Sequence, residues 1–178
     1  MSTLITTTVQ GVQNIKYDAS TTAMTIDSAG RVLTAARPFF HVYVDNGGSN
    51  PTSLGTLTII PFDGVVSNVG SHFNTSSSGS DNHSFRAPVA GVYQFNWNLS
   101  VYGVSSGDYI RQRIFKNGSG IQYLEYNDSQ TTGDQNYSAS FALSLAANDY
   151  IQFYAQAQSS ISMSAGSSWN VCSGYLVG

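Results

Sequence analysis

Between Gly91 and Gly103 the chain reads Val-Tyr-Gln-Phe-Asn-Trp-Asn-Leu-Ser-Val-Tyr, and a large apolar side chain occupies every second place. In an extended backbone Tyr93, Phe95, Trp97, Leu99 and Val101 share one face, and Gln94, Asn96, Asn98 and Ser100 share the other. A helix would scatter both sets around its axis, so this segment predicts an antiparallel strand with one face buried. Composition extends the conclusion to the whole chain. Only 10% of the 178 residues are charged, against about 25% in an average soluble domain. The polar load falls on 27 Ser, 14 Thr and 13 Asn, beside 17 Gly. Long helices need Glu, Lys, Arg, Leu and Ala on their surfaces, so a helical bundle is excluded. The length fits one domain, or one domain with a small appendage, burying roughly 70% of its unfolded surface.

The rest of the sequence repeats the theme of strand and turn. Arg37–Val44 is a dense apolar run broken by Asp45-Asn46-Gly47-Gly48, a strong turn signal. Leu54–Phe62 reads as a strand, as does Tyr109–Gly120, which ends at Asn117-Gly118. In the segment Ser138–Asp149, Phe141, Leu143 and Leu145 fall together, opposite Ala142 and Ser144. Its alanine content admits a helix, but serine at every second place favours a strand. Two more strands are expected in Asp149–Ala165 and Trp169–Gly178. Eight or more short strands separated by turns predict an all-β antiparallel sandwich or jelly roll. The serine-rich stretch 74–82 is expected to be a flexible loop inside this domain. No 20–50-residue repeat suggests a propeller or solenoid.

Residues 1–36 differ, with Tyr17 as their one aromatic and few apolar residues. Met24, Ile26 and Val32 flank Asp27-Ser28-Ala29-Gly30, which predicts a small hairpin. Such a piece buries little alone. The expectation is an extended N-terminal arm, residues 1–36, ordered against a neighbouring subunit or a larger assembly, followed by one domain over residues 37–178.

Charge and chemistry close off other functions. A net charge of −3 with seven scattered cations argues against nucleic-acid binding, which needs clustered Lys and Arg. No apolar stretch approaches the roughly 20 residues of a membrane helix. The first residues lack a basic start and an apolar run, so no signal peptide is expected. Cys172 stands alone and excludes an internal disulfide. It lies in an apolar strand, where packing is expected and nucleophilic reactivity is not. His41, His72 and His83 show no metal-ligand spacing, and no nucleophile motif occurs. Asp81, Asp128 and Asp134 are read as solvated loop charges in preference to a Ca²⁺ site. No catalytic residue, cofactor or metal is assigned.

One block carries a fixed pattern: Phe62-Asp63, Asn68, Gly70 and Phe73, then Phe85, Pro88, Gly91, Tyr93 and Phe95. It continues in Lys116-Asn117-Gly118, in Leu143 and Leu145 before Asp149, and in Ser173-Gly174-Tyr175. This pattern, in order over about residues 37–178, resembles the globular head of complement C1q and its tumour-necrosis-factor-like relatives. The resemblance implies a jelly roll and a homotrimer in which subunits meet along aromatic-rich faces. Phe62, Phe73, Phe85, Tyr93, Phe95, Trp97 and Tyr175 become candidates for the trimer core or interface. Cys172 departs from the pattern, replacing the usual aromatic before the last Ser-Gly. The stretch from Ser119 to Gln135 is read as a loop without family pattern.

The segment Met24–Leu33 also resembles leader segments of small virion proteins of tailed bacteriophages. That likeness implies a non-enzymatic capsid decoration protein, made in a host cytoplasm and located on the virion. Its arm would bind the major capsid protein or another virion protein. The alternative is a receptor-binding tail-fibre tip whose loops, 74–82 and 119–135, touch a host glycan or protein. A cellular adhesion or signalling ligand of the same fold is a third class.

Overall fold

A computed structural model of the protein describes residues 14–16, 22–34, 36–45, 53–129, 131–158 and 161–177. Among these residues every regular element is a strand. The expected turn at Asp45–Gly48 lies largely outside them, as do most of residues 1–21. The chain divides into two units, Met1–Arg37 and Pro38–Gly178.

The first unit contains an antiparallel meander of β1 (Asn14–Lys16), β2 (Thr22–Ile26) and β3 (Val32–Leu33). The predicted turn joins β2 to β3 and is organised by one carboxylate. Asp27 Oδ1 accepts from the amides of Ala29 and Arg31, and Oδ2 accepts from Arg31 Nε at 2.7 Å. Gly30 takes a positive φ of 76° there, which costs a Cβ-free residue nothing.

The second unit is a two-sheet sandwich. Its first sheet has the order β12 (Gly133–Leu145), β9 (Gly91–Val104), β15 (Val171–Leu176), β4 (Phe39–Tyr43) and β6 (Gly64–Val69). A short β14 (Ser162–Met163) pairs with β9. The second sheet runs β11 (Ser119–Asp128), β10 (Tyr109–Lys116), β13 (Tyr150–Ala157), β8 (Ser84–Arg86) and β7 (Phe73–Asn74), with β5 (Thr58–Ile59) added to β13. Every pairing is antiparallel, and neighbours in each sheet are mostly distant in sequence. That is jelly-roll connectivity.

The alternation in β9 has its expected phase: Tyr93, Phe95, Leu99 and Val101 are fully buried and Trp97 nearly so. Phe141, Leu143 and Leu145 pair across from Phe95, Tyr93 and Gly91 in the β12–β9 ladder, so the alanine-rich segment is a strand. Facing β10 supplies Ile110, Gln112 and Ile114 to the interior. The core is an aromatic stack between the sheets. Phe40 lies 4.9 Å from Phe73 and 5.1 Å from Phe85, and Phe153 meets Phe62 and Trp97 edge-on at 5.8 and 5.5 Å. Edge-to-face contacts match the quadrupoles of the rings, and each buried ring adds about 1.5–3 kcal/mol.

Two expectations are corrected. The stretch from Ser119 to Gln135 is no loop: most of it is β11, paired with β10 along eight positions, and β12 begins at Gly133. The pairing carries register shifts after Gln112 and Ile114, and these bulges erase the period-2 pattern that would reveal a strand. Asp128 and Asp134 therefore stand in strands. Asp81 is in a loop but is not merely solvated, since Arg86 Nη2 approaches its Oδ2 to 2.7 Å.

Candidate functional site

The patterned residues turn out to be devices that hold turns and close ladders. The Asn68 side-chain amide donates to Phe73 O at 2.9 Å while its Oδ1 accepts from Phe73 N at 3.0 Å, closing the turn between β6 and β7. Tyr93 reaches back to donate its hydroxyl to Val89 O at 2.8 Å, fixing the entry into β9 behind Pro88. Asn117 and Gly118 both take positive φ, as a tight β10–β11 turn demands. Asn117 Nδ2 donates to Asp149 Oδ1 at 2.7 Å, Tyr150 N donates to Asn117 Oδ1 at 2.9 Å, and Lys116 Nζ meets Asp149 Oδ2 at 2.7 Å. The Asp149 carboxyl, held first by Lys116 and then by Asn117, drops to about 2. The pattern thus marks one fold, its residues holding turns and ladder ends.

Of the seven aromatic candidates, six lie inside the subunit. Phe62, Phe73, Phe85, Tyr93, Phe95 and Trp97 are each no more than 4% exposed, because inward phase spends them between the two sheets. Tyr175 is the exception at 42%. It leads to the outer face of the first sheet, where register aligns residues in rows across five strands. One row runs Val69, Phe39, Tyr175, Gln94, Ala142. The next runs Ser67, His41, Ser173, Asn96, Ser140, and the third Gly64, Tyr43, Val171, Asn98, Ser138.

No Asp, Glu, Lys or Arg occurs in these rows. The first is apolar at one end, with Phe39 and Tyr175 exposed. Val92 and Val177, also exposed, extend it. Part of the polar remainder is paired within the face. Ser138 Oγ donates to Asn98 Oδ1 at 2.8 Å, Asn98 Nδ2 to Trp169 O at 2.7 Å, and Ser140 Oγ to Asn96 Oδ1 at 2.9 Å. Gln94 Nε2 donates to Ser140 Oγ at 2.9 Å. A depression of about 270 Å³ lies over this face, lined by His41, Asn96, Asn98, Ser138, Ser140 and Ser173 among others. Polar groups already paired can be covered by a protein partner without a large desolvation cost.

Sequence reading did not find Phe39, His41 or Tyr43. The signal was present: in Arg37–Val44 both alternate sets are bulky, which marks a strand covered on both faces.

Cys172 is fully buried, and burial pushes its thiol well above the ordinary range. His83 is buried as well, which lowers its pKa, and its ring nitrogen lies 3.4 Å from Phe62 O.

The sequence model of the C1q domain matches residues 40–177. No curated protein matches the chain in sequence. Among solved structures, the globular domain of the zebrafish complement 1qA protein is similar, with 17% identity and a TM-score of 0.53 over 80% of this chain and 98% of that one. Murine APRIL is similar too, at 12% identity and a TM-score of 0.57 over 79% of this chain and 99% of that one. At these identities the likeness is one of fold.

Proposed function

Because the chain belongs to the C1q domain family, we propose that it is a non-enzymatic homotrimer in which the outer face of the first sheet joins the subunits. The observation that carries this reading is the row of Val69, Phe39, Tyr175 and Gln94, an uncharged and partly exposed apolar strip beside Gln94, Asn96, Asn98, Ser138 and Ser140, which share hydrogen bonds. Exposed apolar strips bordered by polar residues mark protein contacts.

The finer proposal is that the trimer decorates the capsid of a tailed bacteriophage and stabilises the shell. Residues 1–36 bind the major capsid protein or another virion protein in this reading. Its support is the Met24–Leu33 segment and the exposure of Ile15, Val32 and Leu33, three apolar side chains on a meander too small to bury them. Gold-labelled antibody on virions of the source phage tests it. Label over the head supports decoration. Label at the tail tip favours the receptor-binding alternative, for which the exposed loop Ser76–Ser80 is the available contact. Absence of label contradicts both. Deleting residues 1–36 is expected to leave a folded trimer that no longer attaches to particles.

A further inference from the structure

The meander of the first unit has two unlike faces. Residues directly opposite in an antiparallel ladder point to the same side, and alternate residues along a strand share that side. Ile15 stands opposite Met24, and Ile26 opposite Val32, so Ile15, Met24, Ile26 and Val32 form one apolar face across β1, β2 and β3. The other face carries Asn14, Thr25 and Leu33, with Thr25 Oγ1 donating to Asn14 Oδ1 at 2.9 Å. On the apolar face Ile15 and Val32 are 48% and 57% exposed, and Met24 and Ile26 between them are half-buried.

Strands this short need a cover on their apolar face to be stable. The size of the face decides what kind of cover fits it. Four side chains fall far short of the roughly 800 Å² per partner that a free complex buries. A protein captured from solution is therefore poorly served by this patch. A partner already held beside it is not, since a short tether supplies an effective concentration in the millimolar range. Residues 34–38 join Leu33 to Phe39, and a chain of that length spans at most about 20 Å. Phe39 stands on the face that joins subunits in the reading above, so the contact that makes the trimer also brings three meanders within reach of one another. Asp27 and Arg31 pair at 2.7 Å, so the charges at the β2–β3 turn cancel and do not hold copies apart.

We propose that the three meanders of the trimer pack their Ile15, Met24, Ile26 and Val32 faces against one another and close a second, small core. The occupant of the apolar face is a second copy of this chain. This rests on the trimer reading and adds to it that the arms act as one three-chain unit, with Asn14, Thr25 and Leu33 turned outward.

Cysteine cross-linking of the full chain tests this. Cys172 is fully buried, so a thiol introduced in the meander is the one that reacts. Met24→Cys lies on the apolar face and Thr25→Cys, its neighbour in β2, on the other. Both are oxidised mildly with copper–phenanthroline, and free thiols are blocked before denaturation. Met24→Cys is expected to give covalent dimers at several times the yield of Thr25→Cys, unchanged on dilution. Ile26→Cys, on the same apolar face, is expected to agree with it. Adding Val32→Asp to Met24→Cys is expected to bring the yield down to that of Thr25→Cys while sedimentation equilibrium still finds three chains, because the second unit holds the trimer. A parent of one chain mass overturns the trimer reading and this proposal with it. A trimeric parent in which Met24→Cys and Ile26→Cys cross-link no better than Thr25→Cys, or only in proportion to concentration, overturns this proposal and leaves the trimer standing.

Discussion

Gly174 pairs with Phe40 in the β15–β4 ladder, and a Cβ at residue 174 would lie 2.5 Å from Phe40 Cε1. The ring cannot retreat, because Phe40 is fully buried against Phe73 and Phe85. The glycine in Ser173-Gly174-Tyr175 is thus demanded by packing. Gly174→Ala is expected to cost about 1–3 kcal/mol, the usual penalty for overpacking a core. A denaturant midpoint equal to the parent's would show that the sheet gives way here.

Phe95 contributes to four ring contacts at the centre of the sandwich, with Phe40, Phe85, Phe141 and Phe153. Replacing it by Ala should destabilise the protein by about 3–5 kcal/mol. Tyr93→Phe is milder, removing only the hydrogen bond to Val89 O and costing about 1 kcal/mol. Equilibrium unfolding in urea measures both, and equal losses would contradict the separate roles given to ring and hydroxyl.

Acid should loosen the β10–β11 end first. Asp149 titrates near 2, below its ordinary 3.8, and Asp81 is also lowered by the hydrogen bond from Arg86. A carboxyl with a depressed folded-state pKa stabilises above the unfolded value and loses that contribution as pH falls through the folded one. The urea midpoint should therefore be steady between about pH 7 and 5 and fall from about pH 4 toward 2. Asp149→Asn is expected to lower the midpoint at pH 7 and flatten the acid fall. A variant with the parent's full pH dependence would remove Asp149 from the account.

Cys172 should resist modification. The thiolate is the reactive form, and burial opposes it. A thiol-reactive disulfide reagent is expected to label it only after denaturant is added; rapid labelling of the native protein would mean that β15 opens readily.

What could be read from the sequence follows from what each strand must bury. β9 alternates because one face meets the core and the other meets polar neighbours, so its phase was visible in Tyr93, Phe95 and Trp97. β11 lies at a sheet edge and meets β10 through two bulges, so its residues carry no period and it passed for a loop. The aromatic count suggested an association face, but inward phase consumes Phe62, Phe73, Phe85 and Trp97 inside the subunit. Which rings point outward depends on strand order: Phe39 and Tyr175, 136 positions apart in sequence, become neighbours only because β4 and β15 pair. The surroundings of Arg113 on β10 were hidden for the same reason, since Gly120 and Tyr123 come from β11 and Tyr154 from β13.

Subunits are predicted to associate through the face that bears Phe39 and Tyr175. Sedimentation equilibrium of the parent and of Tyr175→Arg tests this directly. The parent is expected at three times the chain mass of 19.0 kDa, and the variant, with a charge set into the apolar row, at one chain mass with an unchanged circular dichroism spectrum. A monomeric parent, or a variant that remains trimeric, would contradict it.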